Sequence, residues 1–95
     1  MAADILSRVK LAIRRSHSKL DADLQTDIDA CLQDMQMRGI KAPDPSDSLV
    51  FAAIKLYCKS TTADDPAKGV AFYQRYESLR DSLSLSSKYR GDADG

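Results

Sequence analysis

The chain is poor in the residues that carry chemistry. Its 95 residues contain one histidine and two cysteines. His17 lies between Ser16 and Ser18, where sequence adjacency does not place an imidazole on a hydroxyl, so it reads as a surface or capping residue rather than as part of a triad. Cys31 and Cys58 are not paired in a CxxC motif and have no histidine partners. They are read as free thiols, Cys31 in the core, with neither a metal site nor a disulfide expected. Neither GxxxxGK nor GxGxxG occurs, and Gly69 stands alone in a helical pattern, which gives no support to nucleotide cradling. The acidic stretch that begins at Asp21 lacks the alternating ligands, central glycine and closing glutamate of a calcium loop. Arg90-Gly91-Asp92 is taken as a chance match to an adhesion tripeptide. No cofactor is expected, and no enzymatic function.

Other absences bound the class. No apolar run approaches the roughly 18 residues that span a bilayer, and the N-terminal charges are too frequent for a signal-peptide core, so a soluble, cytoplasmic chain with no membrane partner is expected. Period-2 alternation, hairpin signals and internal repeats are missing, which argues against strands. Fourteen Lys and Arg balance fourteen Asp and Glu, against a general nucleic-acid binder that depends on excess positive charge. One domain of this size should have a modest stability, on the order of 5–10 kcal/mol, to which oligomerisation would add.

What is present is a charge asymmetry and a helical pattern. Residues 1–20 carry Arg8, Lys10, Arg14, Arg15 and Lys19 against Asp4, while residues 21–65 carry nine Asp, no Glu and only four cations. Such polarity either solvates the surface or favours head-to-tail contacts that close into a ring. In the second case the Arg8, Arg14, Arg15 surface would pair with an Asp23, Asp27, Asp34 flank of a neighbour.

The spacing predicts four helices and an all-α bundle. The first covers about 4–15, with Ile5, Leu6, Val9, Ala12 and Ile13 on one face and Leu11 among the basic residues. Leu11 is either incidentally exposed or part of a subunit contact. The second starts at a Ser18 cap with Asp21 three residues on, buries Leu24, Ile28, Cys31, Leu32 and Met35, and stops at Gly39. Asp44-Pro45 and Asp65-Pro66 each look like a helix start. The third helix is expected to run from the Asp44-Pro45 start to about Lys59. Its LVFAAIKLYCK stretch, 49–59, is apolar nearly all round, and the helix is expected to be central, with Leu49, Val50, Ile54 and Tyr57 in the core. The fourth presents Phe72, Tyr73, Tyr76, Leu79 and Leu83 inward and Arg75, Glu77, Arg80 and Asp81 outward. Tyr76 and Leu79 complete the expected core. Residues 1–83 are read as the bundle domain and 84–95 as a C-terminal arm and flexible tail, with the assembly element running from Leu83 through Leu85 to Tyr89.

Taken together, LVFAAIKLYCK, the acidic turn and YESLRDSLSLSSKY resemble the small head–tail connector proteins of long-tailed double-stranded DNA phages, over 49–89. DIDACLQDMQMRGI, over 27–40, is similar to that family's second helix and glycine turn. The resemblance implies a structural virion protein that forms a homo-oligomeric ring under the portal, extends the DNA channel and carries the stopper or tail. Its implied partners are further copies of the chain, the portal, the stopper or tail-completion protein and passing DNA without sequence-specific contacts. Its implied location is the head–tail interface, after assembly in the host cytoplasm. The arm residues Leu85 and Tyr89 match the segment that packs on neighbours in that family. The competing expectation is a small helical DNA-binding or regulatory protein that uses the basic first helix.

Overall fold

A computed structural model describes residues 2–13 and 21–86. Among them are four α-helices and no strand: α1 Ala2–Ile13, α2 Asp21–Met37, α3 Ser48–Thr62 and α4 Pro66–Ser84. The protein is all-α, a small four-helix bundle. The α3 helix packs on each of the other three, most extensively on α4. The expected Ser18 cap of the second helix and the expected end of the first at Arg15 lie outside the described residues.

The helix ends follow local chemistry. Gly39, at φ +95°, takes the left-handed position after α2, which costs a glycine little. Its N–H reaches the Gln36 carbonyl at 3.1 Å, and the Ile40 N–H reaches that of Met35 at 2.9 Å. This paired arrangement satisfies carbonyls the helix leaves open, and it turns Ile40 into the core beside Met35.

The start of α3 corrects an expectation. Asp44-Pro45 opens a turn, not the helix: the Asp44 carboxylate accepts from the Ser46 N–H at 2.9 Å, and the Asp47 N–H donates to the Asp44 carbonyl at 2.9 Å. The cap is Asp47, which accepts from the Leu49 N–H at 2.8 Å. At the other junction Asp65 does cap α4, accepting from the Ala67 N–H at 2.9 Å with Pro66 in the first turn. The short connection at 63–65 makes α3 and α4 an antiparallel hairpin. At its base Gly69 allows close approach, since a Cβ there would lie 3.2 Å from the Ser60 carbonyl oxygen.

The core runs through all four helices: Val9 from α1; Leu24, Ile28, Cys31 and Met35 from α2; Val50, Phe51, Ala53, Ile54 and Cys58 from α3; Tyr76 and Leu83 from α4. Tyr57, Leu79 and Leu32 are half-buried against it. Leu49 is not a core residue. It is 54% exposed in the first turn of α3, one position round the helix from Val50. Because the helix begins three residues later than its Asp-Pro signal, Leu49 sits at an end that its neighbours do not cover. Leu83 is 3% exposed and belongs to the bundle, so the element read as an assembly arm starts inside the fold. After Ser84 the chain leaves the helix through two tight turns, Leu85 N–H to Ser82 and Ser86 N–H to Leu83.

Candidate functional site

Two polar arrangements stand out, and they differ in what they leave available. The first ties α2 to α4. The Tyr76 hydroxyl donates to Asp34 Oδ2 at 2.6 Å, and Arg80 Nη1 donates to the same oxygen at 2.9 Å. Arg80 Nε also reaches Asp81 at 3.2 Å, and the Arg80 guanidinium lies 5.5 Å from the Tyr76 ring centre. This corrects two sequence expectations. Arg80, placed on the outer face by its charge, is 4% exposed. Asp34, placed on a solvated or partner-facing flank, is turned inward. A buried guanidinium needs an anion and hydrogen-bond acceptors, and Asp34 supplies both.

The electrostatics fix the protonation states of this cluster. Burial alone would push the Asp34 carboxyl up, but the hydrogen bonds from Tyr76 and Arg80 and the attraction of Arg80 and Arg38 outweigh it, and Asp34 titrates below its ordinary 3.8. Burial and the Asp34 hydrogen bond push the Tyr76 hydroxyl far up, so it remains a donor. Burial pushes the neighbouring Cys31 thiol up to about 12, against a lowering by its hydrogen bond with Tyr76. Tyr57, Tyr73 and Tyr76 pack around the cluster with ring centres 5.2–6.2 Å apart. A carboxylate held ionised, a phenol held protonated and a thiol held neutral make a structural clamp, with no group poised near neutral pH to exchange protons.

The second arrangement lies on α1 and α3. The Arg8 guanidinium sits 4.0 Å from the centre of the Phe51 ring, and Lys55 Nζ is 5.4 Å from the same ring. One turn along α3, Lys59 Nζ is 5.7 Å from the Phe72 ring of α4. Among the described residues no carboxylate forms an ion pair with Arg8, Lys55 or Lys59.

The remaining sequence-based candidates divide as follows. Asp23 is exposed on α2, whereas Asp27 accepts a hydrogen bond from Thr61 at 2.9 Å and so helps join α2 to α3. Leu11 is 70% exposed and Leu85 is 76% exposed. Arg14, Arg15 and Tyr89 lie outside the described residues. Exposed Met37 and Val70 were not anticipated. Val70, Tyr73 and Glu77 border an open groove of about 520 Å³ at the base of the α3–α4 hairpin. Its only sequence signal is Gly69, whose missing side chain brings the two helices together. Among the described residues no cluster of His, Cys, Asp or Glu could hold a metal ion, and no helix is long and apolar enough to cross a membrane. No protein-family model, curated protein or solved structure matches the chain.

Proposed function

We propose that this chain is a structural assembly protein, a head–tail connector that forms a ring under the portal of a long-tailed double-stranded DNA phage. The reading rests on the resemblance over 49–89. The observation that carries it is the contrast between Leu83 and Leu85: one is buried, and two residues later an apolar side chain projects out of the bundle. An apolar stripe that outruns its own domain has an external surface to gain. Leu11 and Leu49, both more than half exposed on other helices, add apolar surface of the same kind. The reading assigns no chemical step to the chain. Its partners are other copies of itself, the portal and the stopper or tail-completion protein, with DNA in the channel.

The test is sedimentation velocity and native mass spectrometry of the full chain over rising concentration, alone and with the portal ring of the same genome. A closed oligomer or a stoichiometric portal complex is expected, weakened by Leu85→Ser. A chain that stays monomeric in both settings, together with particles that assemble tails without it, would overturn the proposal. Binding to one DNA sequence well above others would instead favour the regulatory reading.

A further inference from the structure

We infer that the Arg8–Lys55–Lys59 stripe is a contact surface for the phosphate backbone of double-stranded nucleic acid, read without regard to sequence. Along the chain the basic first helix has no aromatic residue among its cations. The fold supplies them: Phe51 of α3 lies against both Arg8 and Lys55, and Phe72 of α4 lies beside Lys59. Phe51, Lys55 and Lys59 follow one another at i, i+4 and i+8, so they form one line along α3, with Arg8 added from α1.

Three observations point to phosphate as the occupant. These cations have no carboxylate partner among the described residues, so their charge is not consumed inside the fold. The Arg8 guanidinium has one face against the Phe51 ring. A guanidinium over a ring still has its N–H donors to offer, and their planar fork suits an oxyanion. Phe51 itself is 9% exposed beneath the cations. A ring so covered cannot stack on an unpaired base, which favours the backbone of a duplex over a single strand.

The main rival is the acidic flank of a second copy, and the structure has reduced it. Asp34 is committed to Tyr76 and Arg80, and Asp27 accepts from Thr61. The acidic half of that pairing has shrunk while the basic half has gained Lys55 and Lys59. A chain with no net charge can still make such a contact because salt-dependent binding counts the cations at the phosphates, not the total.

The inference does not need the ring, although a channel would bring duplex to the surface. The test measures fluorescence anisotropy of two unrelated duplexes of about 20 base pairs with the full chain, from about 20 to about 200 mM salt. Weak binding is expected, equal for the two sequences and falling with salt. Lys55→Gln/Lys59→Gln should lower the magnitude of the log–log salt slope by about two and weaken binding at low salt by about tenfold or more. Lys41→Gln/Arg75→Gln, which removes the same charge from other surfaces, should leave both unchanged. Circular dichroism melts confirm that each variant is folded. Absent salt-dependent binding, an equal loss in the control variant, or a preference above about tenfold for one sequence each overturns the inference. So does a poly-glutamate peptide that binds the stripe as tightly as duplex, which would mark an acidic protein partner. Running the titration on monomeric and assembled fractions separately keeps this result distinct from the fate of the connector reading.

Discussion

The α2–α4 clamp and the α1–α3 stripe use the same kinds of residue to opposite ends. Both hold arginine against an aromatic ring, Arg80 at 5.5 Å from Tyr76 and Arg8 at 4.0 Å from Phe51. In the clamp the cation is buried, and it shares the Asp34 carboxylate with the Tyr76 hydroxyl, both donating to the same oxygen. On the stripe the ring is buried and the cation is outside. Burial of the charge, not the residue type, decides whether an arginine holds the fold together or remains available to a partner. A buried ion needs its counter-ion in place, whereas an exposed one retains its hydration and has little effect on folding.

That comparison sets the order of expected effects. Asp34→Ala should be the most damaging, because it leaves the buried Arg80 with only the exposed Asp81 as counter-ion and Tyr76 without its acceptor. A loss on the order of 3 kcal/mol is expected, at the low end for a broken buried pair because the Asp34 side chain is one-quarter exposed. A denaturant titration measures it. Asp34→Ala/Arg80→Met should recover part of the loss, since an apolar side chain in that space no longer demands an anion. If the double variant is as unstable as the sum of the singles, the two residues do not act as a pair.

Next comes the boundary between fold and surface at the end of α4. Leu83→Ala should cost about 2–4 kcal/mol, the range for truncating a buried leucine. Leu85→Ala, two residues on but 76% exposed, should change stability by less than about 0.5 kcal/mol. Thermal melts of the two variants side by side check the boundary. Equal losses would mean that Leu85 also packs in the monomer, and would remove the observation on which the assembly reading rests.

These residues also show how far the sequence could be read. Four helices, their order and the central place of α3 follow from apolar spacing and from the glycine and Asp-Pro signals. The Asp-Pro signal erred once, at Asp44, because Asp followed by Pro starts a type I turn as readily as a helix. Only the cap hydrogen bond to Asp47 separates the two, and Leu49 was misplaced as a consequence. Arg80 and Asp34 were misassigned for another reason. Periodicity sorts residues by polarity, so two opposite charges 46 positions apart both went to the outside. Nothing local reveals that they meet. The interleaving of Arg8, Lys55 and Lys59 with Phe51 and Phe72 is likewise a product of packing between helices, invisible to a search for mixed basic and aromatic residues along the chain.

Acid offers a third, smaller probe of the clamp. Asp34 titrates lower in the folded chain than its ordinary 3.8, so the unfolded chain binds the proton more readily. The stabilisation from this group is therefore complete above the ordinary carboxyl range and is lost as pH falls through it toward the folded value. The parent should lose stability across that window more steeply than Asp34→Asn, which has no proton to gain there. Parallel acid profiles for the two would show that other carboxylates, not the clamp, govern acid unfolding.

The smallest effect belongs to the stripe. Lys55→Gln removes a cation that is partly exposed, has no carboxylate partner among the described residues and lies 5.4 Å from the Phe51 ring. The contact is worth about 0.5–1 kcal/mol at most at such a site. Glutamine keeps much of the aliphatic stem against the ring, so the net change should stay within about 0.5 kcal/mol. Arg8→Gln should cost somewhat more, because a closer and flatter cation leaves Phe51. The sign of any difference between Lys55→Gln at low and high salt is informative. Three cations near one another repel, and removing one should stabilise the fold slightly at low salt and not at high salt, where charges more than about 8–10 Å apart are screened. A stability gain on neutralising the stripe, set beside the large loss on neutralising Asp34, would separate charge that builds the fold from charge kept for contact. A loss of more than about 1 kcal/mol at Lys55 would erase that distinction and return the lysine to the structural side.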